Sequence, residues 1–418
     1  MSLFADILSS VFELRYRSAS EPDQAGRSME ELMRDLLGSS GEVSGMTLAR
    51  HILDRYQAMS RDERKAFFEL LVHGLEIDPE EVRTTLAAYE ATPGKATYHA
   101  FVTACEPDRQ ELARRLNQVP GATAQLVAMR KDLLGMLRAN PGLAPLDLDL
   151  THLFASWFNR GFLVLRPINW ETPANILEKI IAYEAVHAID SWSALRRRLE
   201  PTDRRCFAFF HPAMSDEPLI FVQVALTSGV PNSVQTLLAD DREPIPADQA
   251  DTAVFYSISN CQSGLAGISF GNSLIKQVAF DLSRELPGLK TFVTLSPIPR
   301  LTKWMAENDL TFADDMLPGA TAYYLLEAKR PDGTPYDPVA RFHLGNGAMV
   351  HQIHADADTS PNGIAQSRGM MVNYLYDLSM IPQNHERFAA SKEVIASSAL
   401  RSACAKIAPM IAGELDHA

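Results

Sequence analysis

Apolar residues recur every three or four positions through most of the first 158 residues. SMEELMRDLLG, LARHILDRYQAM, DERKAFFELLVHGL, EEVRTTLAAYEA, DRQELARRLNQV and AQLVAMRKDLLGMLRA each carry such a stripe, and each predicts an amphipathic helix. Gly41, Pro93-Gly94, Pro120-Gly121 and Pro141-Gly142 break the pattern between them. Ser60, with Asp62 and Glu63 behind it, reads as a helix start. No catalytic constellation falls in this half.

From about Trp157 the pattern changes. GFLVLRPINW, CFAFFHP, PLIFVQVALT, TAVFYSISN, KTFVTLS, TAYYLLEA and VARFHLGNGAMVHQI are short runs rich in Val, Phe, Tyr and Ile, and they predict strands. ANILEKIIAYEAV, WSALRRRLE, NSLIKQVAFDLSREL and the final SKEVIASSALRSACAKIAPMIAGEL predict helices between and after them. The expected fold class is α + α/β: an N-terminal helical bundle over residues 1–158, then a mixed α/β domain over 159–418 built on one main sheet.

Composition narrows the function classes. A chain of 418 residues, 46% hydrophobic and 22% charged, is that of a globular protein with a large core. A net charge of −13 argues against a nucleic-acid partner. Cys105, Cys206, Cys261 and Cys404 form no CxxC pair, which predicts a reducing compartment. No apolar run reaches membrane-spanning length, and the acidic Asp6 and Glu13 make the first residues unlike a targeting peptide. The expected location is the cytoplasm, with no membrane partner.

Three stretches carry candidate chemistry. In TFVTLSPIPR an apolar run stops at Ser296, and Pro297 and Pro299 follow. Proline cannot continue a central strand, so the stretch reads as a sheet exit. A pre-proline residue is also held extended, which would aim the Ser296 hydroxyl at little ordering cost. In NCQSGLAGISFGNSLIKQVA the glycines 264, 267 and 271 form a flexible connector after a strand, and a helix begins near Asn272 or Ser273. That combination makes an anion site suited to a pyrophosphate, with Lys276 nearby. The same loop contains Gly267-Ile268-Ser269-Phe270-Gly271, the G-x-S-x-G of a serine hydrolase elbow, although about ten residues separate it from its strand. His343 ends an apolar run before Gly345-Asn346-Gly347, where sites often form. His351 and His354 are three apart and read as a polar loop edge rather than a metal site, because strand positions three apart face opposite ways.

Taken in order, HPAMSDEPLIFVQVALT, TAVFYSISNCQSGLAGISFGNSLIKQVA, TFVTLSPIPRLTKWM, RFHLGNGAMVHQI and GMMVNYLYDL resemble the malonyl-CoA decarboxylase family. LFASWFNRGFLVLRPINWETP and YEAVHAIDSW extend the likeness, which runs from about Leu153 to about Ala399. The resemblance implies a catalytic domain like the acetyl-CoA-dependent (GCN5-related) N-acetyltransferase fold, and a helical domain used to form a homo-oligomer, dimer or tetramer. It implies conversion of malonyl-CoA to acetyl-CoA and carbon dioxide with no metal and no organic cofactor. It places the catalytic serine at Ser296, the catalytic histidine at His343, and an acyl-CoA loop on Ala266, Gly267, Ile268, Ser269, Phe270, Gly271 and Asn272. A further tyrosine of the site would be Tyr376. Vertebrate-type members carry a glutamate where this chain has Ser269, so a bacterial-type subgroup is implied and the hydrolase-like elbow becomes coincidence.

The chemistry suits these residue types. Loss of carbon dioxide leaves an electron pair that delocalises into the thioester as an enolate. The protein must supply hydrogen-bond donors to the oxyanion and a proton to the carbon. A histidine titration near neutrality is expected in the pH–rate profile. Competing readings are an acyl-CoA-dependent acyltransferase, a serine hydrolase using Ser269 with His343, and a non-catalytic acyl-CoA-binding protein.

Overall fold

The computed structural model describes residues 26–268 and 274–415. They divide into two compact units. One runs to Asn159 and includes Gln262–Ile268, and the other comprises Arg160–Cys261 and the chain from 274 onward.

The first unit is helical. Its helices are Met29–Gly38, Glu42–Ala58, Arg61–Gly74, Pro79–Ala91, Lys95–Ala104, Asp108–Leu116, Ala122–Leu137 and Ala144–Trp157. The Ser60 hydroxyl accepts from the Glu63 N–H while the Glu63 carboxylate accepts from the Ser60 N–H, so the expected helix start is a capping box. Lys95–Ala104 and Ala144–Trp157 are helices outside the stripes quoted above. The first buries no residue and therefore shows no core stripe. The second pattern is blurred because Leu148, near its middle, is exposed among buried leucines.

Arg130 ties this unit together. It is 3% exposed; Nε donates to Asp147 at 2.8 Å, and the terminal nitrogens donate to the carbonyls of Gly264 and Ala266 and to the Thr151 hydroxyl. A Cβ on Gly264 would lie 1.9 Å from the Val127 carbonyl oxygen. Gly264 is therefore a point of close backbone approach, and the flexible connector expected from its sequence is corrected at this position.

The second unit is built on one sheet. Its strands are β1 (Val164–Pro167), β2 (Arg204–His211), β3 (Met214–Thr227), β4 (Thr252–Asn260), β5 (Thr291–Thr294), β6 (Ser296–Pro297), β7 (Met349–His354) and β8 (Met371–Leu375). The order is β1-β2-β3-β4-β5-β8-β6, with β7 on β8. Only the β4–β5 pair is parallel among the described strands. β3 reads as a nearly continuous apolar run because it is central, and Leu219 to Leu226 are buried without a break. Helices Ala174–Tyr183 and Trp192–Leu199 cover one part of the sheet through Ile176, Ile180 and Leu195, packed on Cys206, Ala208 and Phe221. Each such buried aliphatic or aromatic side chain contributes about 1.5–3 kcal/mol.

Two predicted strands are helices. TAYYLLEA lies in helix Leu317–Leu326, which is buried on most sides and packs on the terminal helix. A helix apolar all round has no visible stripe, so its sequence imitates a strand. VARFHLG lies in helix Pro338–Gly345, and only Met349–His354 continues as strand. The terminal helix begins at Ser398, seven residues later than its pattern suggests, because Ala396 is bridged to Val350.

Candidate active site

The site forms where β4 and β5 part. Their register ends at Phe255 opposite Thr294, and the Leu295 N–H makes a last bond to the Phe255 carbonyl at 3.0 Å. A strand in a parallel ladder donates to the same neighbour at every second residue. The next donors toward β4 would be residues 297 and 299, and both are proline. With no N–H to offer, the chain leaves β4, and Ser296 and Pro297 pair with Val372 and Met371 of β8 instead. The pair of prolines thus opens a wedge in the sheet as well as restraining Ser296.

A cavity of about 240 Å³ fills this wedge. It is lined by Val186, Phe255, Tyr256, Ile258, Asn260, Leu295, Ser296, Pro297, Pro338, Val339, Phe342 and His343. Its wall is mainly apolar, with a few convergent polar groups, the usual constitution of a small-molecule site.

Helix Pro338–Gly345 delivers the histidine. Asp337 caps it, accepting from the N–H groups of Val339 and Ala340 at 2.9 Å each, and Pro338 occupies the first turn. After the helix, Gly347 has φ +84°, and a Cβ there would meet the Ile381 carbonyl oxygen at 2.3 Å. Only glycine fits that turn. His343 therefore sits in the last turn of a well-terminated helix, correcting the expectation of a strand end.

Ser296 Oγ and His343 Nε2 are 3.2 Å apart. His343 Nδ1 lies 2.8 Å from the Tyr376 hydroxyl. Tyr374 stacks on the imidazole, with centroids 4.4 Å apart and planes at 23°. Ser296 donates to Thr294 Oγ1 at 2.8 Å, and that oxygen also accepts from the Tyr374 N–H at 3.1 Å. Ser296 is 5% exposed, His343 2% and Tyr376 1%.

Burial alone pushes the His343 pKa down to about 3. A helix C-terminus favours a cationic imidazole by up to about 2 kcal/mol. The burial penalty is larger, at roughly 1.4 kcal/mol for each pKa unit, so the ring is neutral at pH 7. The expected titration near neutrality is corrected accordingly: this histidine does not change charge there. Burial also raises the Tyr374 and Tyr376 phenols well above their ordinary range, so both keep their protons.

Of the residues singled out from sequence, Ser296, His343 and Tyr376 come together. Ala266, Gly267 and Ile268 belong to the helical unit: Ala266 accepts from Arg130, and Gly267 has φ +82°. Ser269, Phe270, Gly271 and Asn272 lie outside the described residues, as does the helix start expected at Asn272 or Ser273. Lys276, on helix Leu274–Glu285, has its ammonium pKa lowered by burial and then by the charge of Arg160. His351 and His354 lie on strand β7 rather than at a loop edge, and His354 is buried and bonded to Asn373.

Thr294, Tyr374 and Asp337 also belong to the site, on weaker sequence signals. Thr294 and Tyr374 stand two residues before Ser296 and Tyr376, and alternation in extended chain puts such pairs on one face. Asp337-Pro338 has the composition of a helix start. The pairing of these segments across β8 had no local signal.

Two family models match the chain. That of the malonyl-CoA decarboxylase N-terminal domain covers residues 75–158, and that of the C-terminal domain covers 161–317 and 307–412. The mitochondrial malonyl-CoA decarboxylase of Anser anser anser is 34% identical over 350 residues, 71% of this chain and 69% of that one. The crystal structure of the Rhodopseudomonas palustris malonyl-CoA decarboxylase is 48% identical with a TM-score of 0.84, covering 91% of this chain and all of that one. The Agrobacterium vitis enzyme is 46% identical with a TM-score of 0.85, covering 90% and 99%.

Proposed function

This chain belongs to the malonyl-CoA decarboxylase family, a carboxy-lyase family, and on that premise we propose that Ser296 and His343 carry its reaction, with Tyr376 behind them. The observation that supports this most is the Ser296–His343–Tyr376 chain at the wall of the wedge between β4 and β5. The acyltransferase, hydrolase and binding-protein readings give way to the family assignment.

The malonyl thioester lies in the wedge with its carbonyl oxygen toward Ser296 and His343. The bond from the α-carbon to the carboxylate breaks, carbon dioxide leaves, and the electron pair forms the enolate C=C while the thioester oxygen takes the negative charge. The His343 Nε2–H, held beside Ser296, donates to that oxygen. Such a donor is worth roughly 3–4 kcal/mol in a dry site. Val186, Ile258 and Phe342 surround the departing carboxylate with apolar surface, which favours neutral carbon dioxide over the anion. One proton from solvent ends on the α-carbon, giving acetyl-CoA. His343, hydrogen-bonded to Tyr376, stands on the delivery route. No metal or organic cofactor is assigned.

The remaining assignments follow from the same premise. Ala266 to Asn272 are assigned to acyl-CoA binding; within the second unit, the cations Lys276 and Arg160, close enough to repel, suit a phosphate group. Residues 1–158 serve oligomerisation and 159–418 catalysis. The helical hairpin Pro79–Ala91 and Lys95–Ala104 buries no residue within the chain and leaves Leu86, Tyr98 and Val102 exposed, as a homo-oligomer contact would. No helix among the described residues is long and apolar enough to cross a membrane. All four cysteines are free thiols, in keeping with the cytoplasm.

Incubation with malonyl-CoA alone, in the presence of chelator, tests the mechanism. Equal release of acetyl-CoA and carbon dioxide is expected from the wild type, with severe loss in Ser296→Ala and His343→Gln. Full turnover by either variant would remove that residue from the mechanism.

A further inference from the structure

We propose that Thr294 is a positioning residue that holds His343 in its Nε2–H tautomer, and so decides which ring nitrogen offers a hydrogen to the wedge. The proposal rests on the reading of His343 as the donor to the thioester oxygen.

Thr294 ends β5 and is fully buried. Its hydroxyl oxygen accepts from the Tyr374 N–H, and its carbonyl accepts from Asn373 Nδ2 at 2.6 Å. Strand β8 thus holds it from two sides. Ser296 stands two residues on, so the two hydroxyls share a face of the extended chain. Ser296 donates to Thr294 Oγ1 at 2.8 Å.

Proton counting then runs outward from Thr294. A serine hydroxyl has one hydrogen, and here Thr294 takes it. Toward His343 Nε2, at 3.2 Å, Ser296 can only accept, so the hydrogen of that bond belongs to the ring. A neutral imidazole has one N–H, which leaves Nδ1 as an acceptor. The Tyr376 hydroxyl at 2.8 Å supplies the donor that Nδ1 then needs. All the bonds run one way, from Tyr376 to His343 to Ser296 to Thr294.

The direction matters for the reaction. In the Nε2–H form the ring offers a donor where negative charge develops. In the Nδ1–H form it would turn a lone pair toward that charge. Removing the Thr294 acceptor frees the Ser296 hydrogen to point at Nε2, and the tautomer reverses with Tyr376 as the new acceptor.

The test is NMR of ¹⁵N-histidine-labelled protein, with the His343 signals assigned by their loss in His343→Gln, alongside steady-state kinetics. In the wild type Nε2 should carry the hydrogen. Thr294→Val, which keeps the shape and loses the hydroxyl, should move it to Nδ1 and lower kcat on the order of 10²-fold with KM little changed. Thr294→Ser should restore the wild-type tautomer and bring kcat to within a few-fold. A wild-type Nδ1–H ring would overturn the proposal without recourse to any variant. So would an unswitched ring in folded Thr294→Val, or a Thr294→Ser protein as slow as Thr294→Val. His343→Gln turning over at the wild-type rate would instead overturn the catalytic reading and leave the tautomer result standing.

Discussion

Ser296 Oγ and His343 Nε2 lie 3.2 Å apart across 47 positions of chain, both buried in the wall of one cavity. The two segments reach this point by different routes. Ser296 arrives on a two-residue strand that has left β4 for β8, and His343 arrives on the last turn of a capped helix. Neither segment contains the other's position in its local pattern.

Replacing Ser296 by alanine removes the hydroxyl that links His343 Nε2 to Thr294 and leaves the backbone pairing with Val372 intact. A fall in kcat of about 10²–10³ is expected, with the circular dichroism spectrum unchanged. Turnover within twofold of wild type would exclude a role for this hydroxyl in the reaction.

The pH–rate profile should lack a histidine step from His343. Burial holds the ring pKa at about 3, so the free enzyme already carries it neutral throughout pH 5.5–8. Comparing kcat/KM in wild type and His343→Gln across that range is the check. The variant curve should be lower by a constant factor. A loss confined to one side of pH 6.5 would show that the ring titrates there.

Two opposed groups at the site contribute to the response of stability to acid. The His343 pKa is about 3 in the folded chain and near the ordinary value of about 6.5 when unfolded. The unfolded chain therefore binds the extra proton between those values, and stability is lost as pH falls from 6.5 toward 3. Burial raises Asp337 to about 6, above the unfolded value of about 3.9. Here the folded chain binds the extra proton, so stability is gained as pH falls from 6 to 4, by roughly 2–3 kcal/mol. Between pH 6 and 4 the two slopes nearly cancel. Asp337→Asn keeps a capping side chain and removes the titration, so its stability should fall more steeply than the wild type over that interval. Urea denaturation at pH 4, 5, 6 and 7 would measure this, and parallel curves would refute it.

Arg130→Ala should destabilise the helical unit by about 3–5 kcal/mol, because it leaves Asp147 unpaired and the carbonyls of Gly264 and Ala266 without their donor. Thermal denaturation followed by circular dichroism is the measurement. A melting temperature unchanged within a degree would mean that solvent replaces those contacts without penalty.

Much of the fold was open to a reader of the sequence, for reasons of period. The 3.6-residue stripe marked most of the helices of the first unit, and runs of Val, Ile and Phe marked β1 to β5. The period fails where a helix keeps no broad exposed face. Leu317–Leu326 and Pro338–Gly345 look like strands because their exposed faces are too narrow to show polar spacing. Sequence marks Ser296 and His343 as strand-end residues and through a family likeness, while Thr294 and Tyr374 look like ordinary strand residues. Nothing local separates a threonine that packs from one that accepts a hydroxyl hydrogen.

The sequence by itself determined the helical and mixed halves, the placement of prolines where β5 would next donate to β4, and the presence of a serine and a histidine with suitable chemistry. Those follow from local sterics, hydrogen-bond valence and side-chain identity. Only the tertiary structure decided that the wedge becomes a cavity, that His343 is neutral, and that four side chains form one directed chain of hydrogen bonds. Each of these depends on desolvation and on distances of about 3 Å between segments far apart in the chain, and both quantities come into being only when the sheet closes around β8.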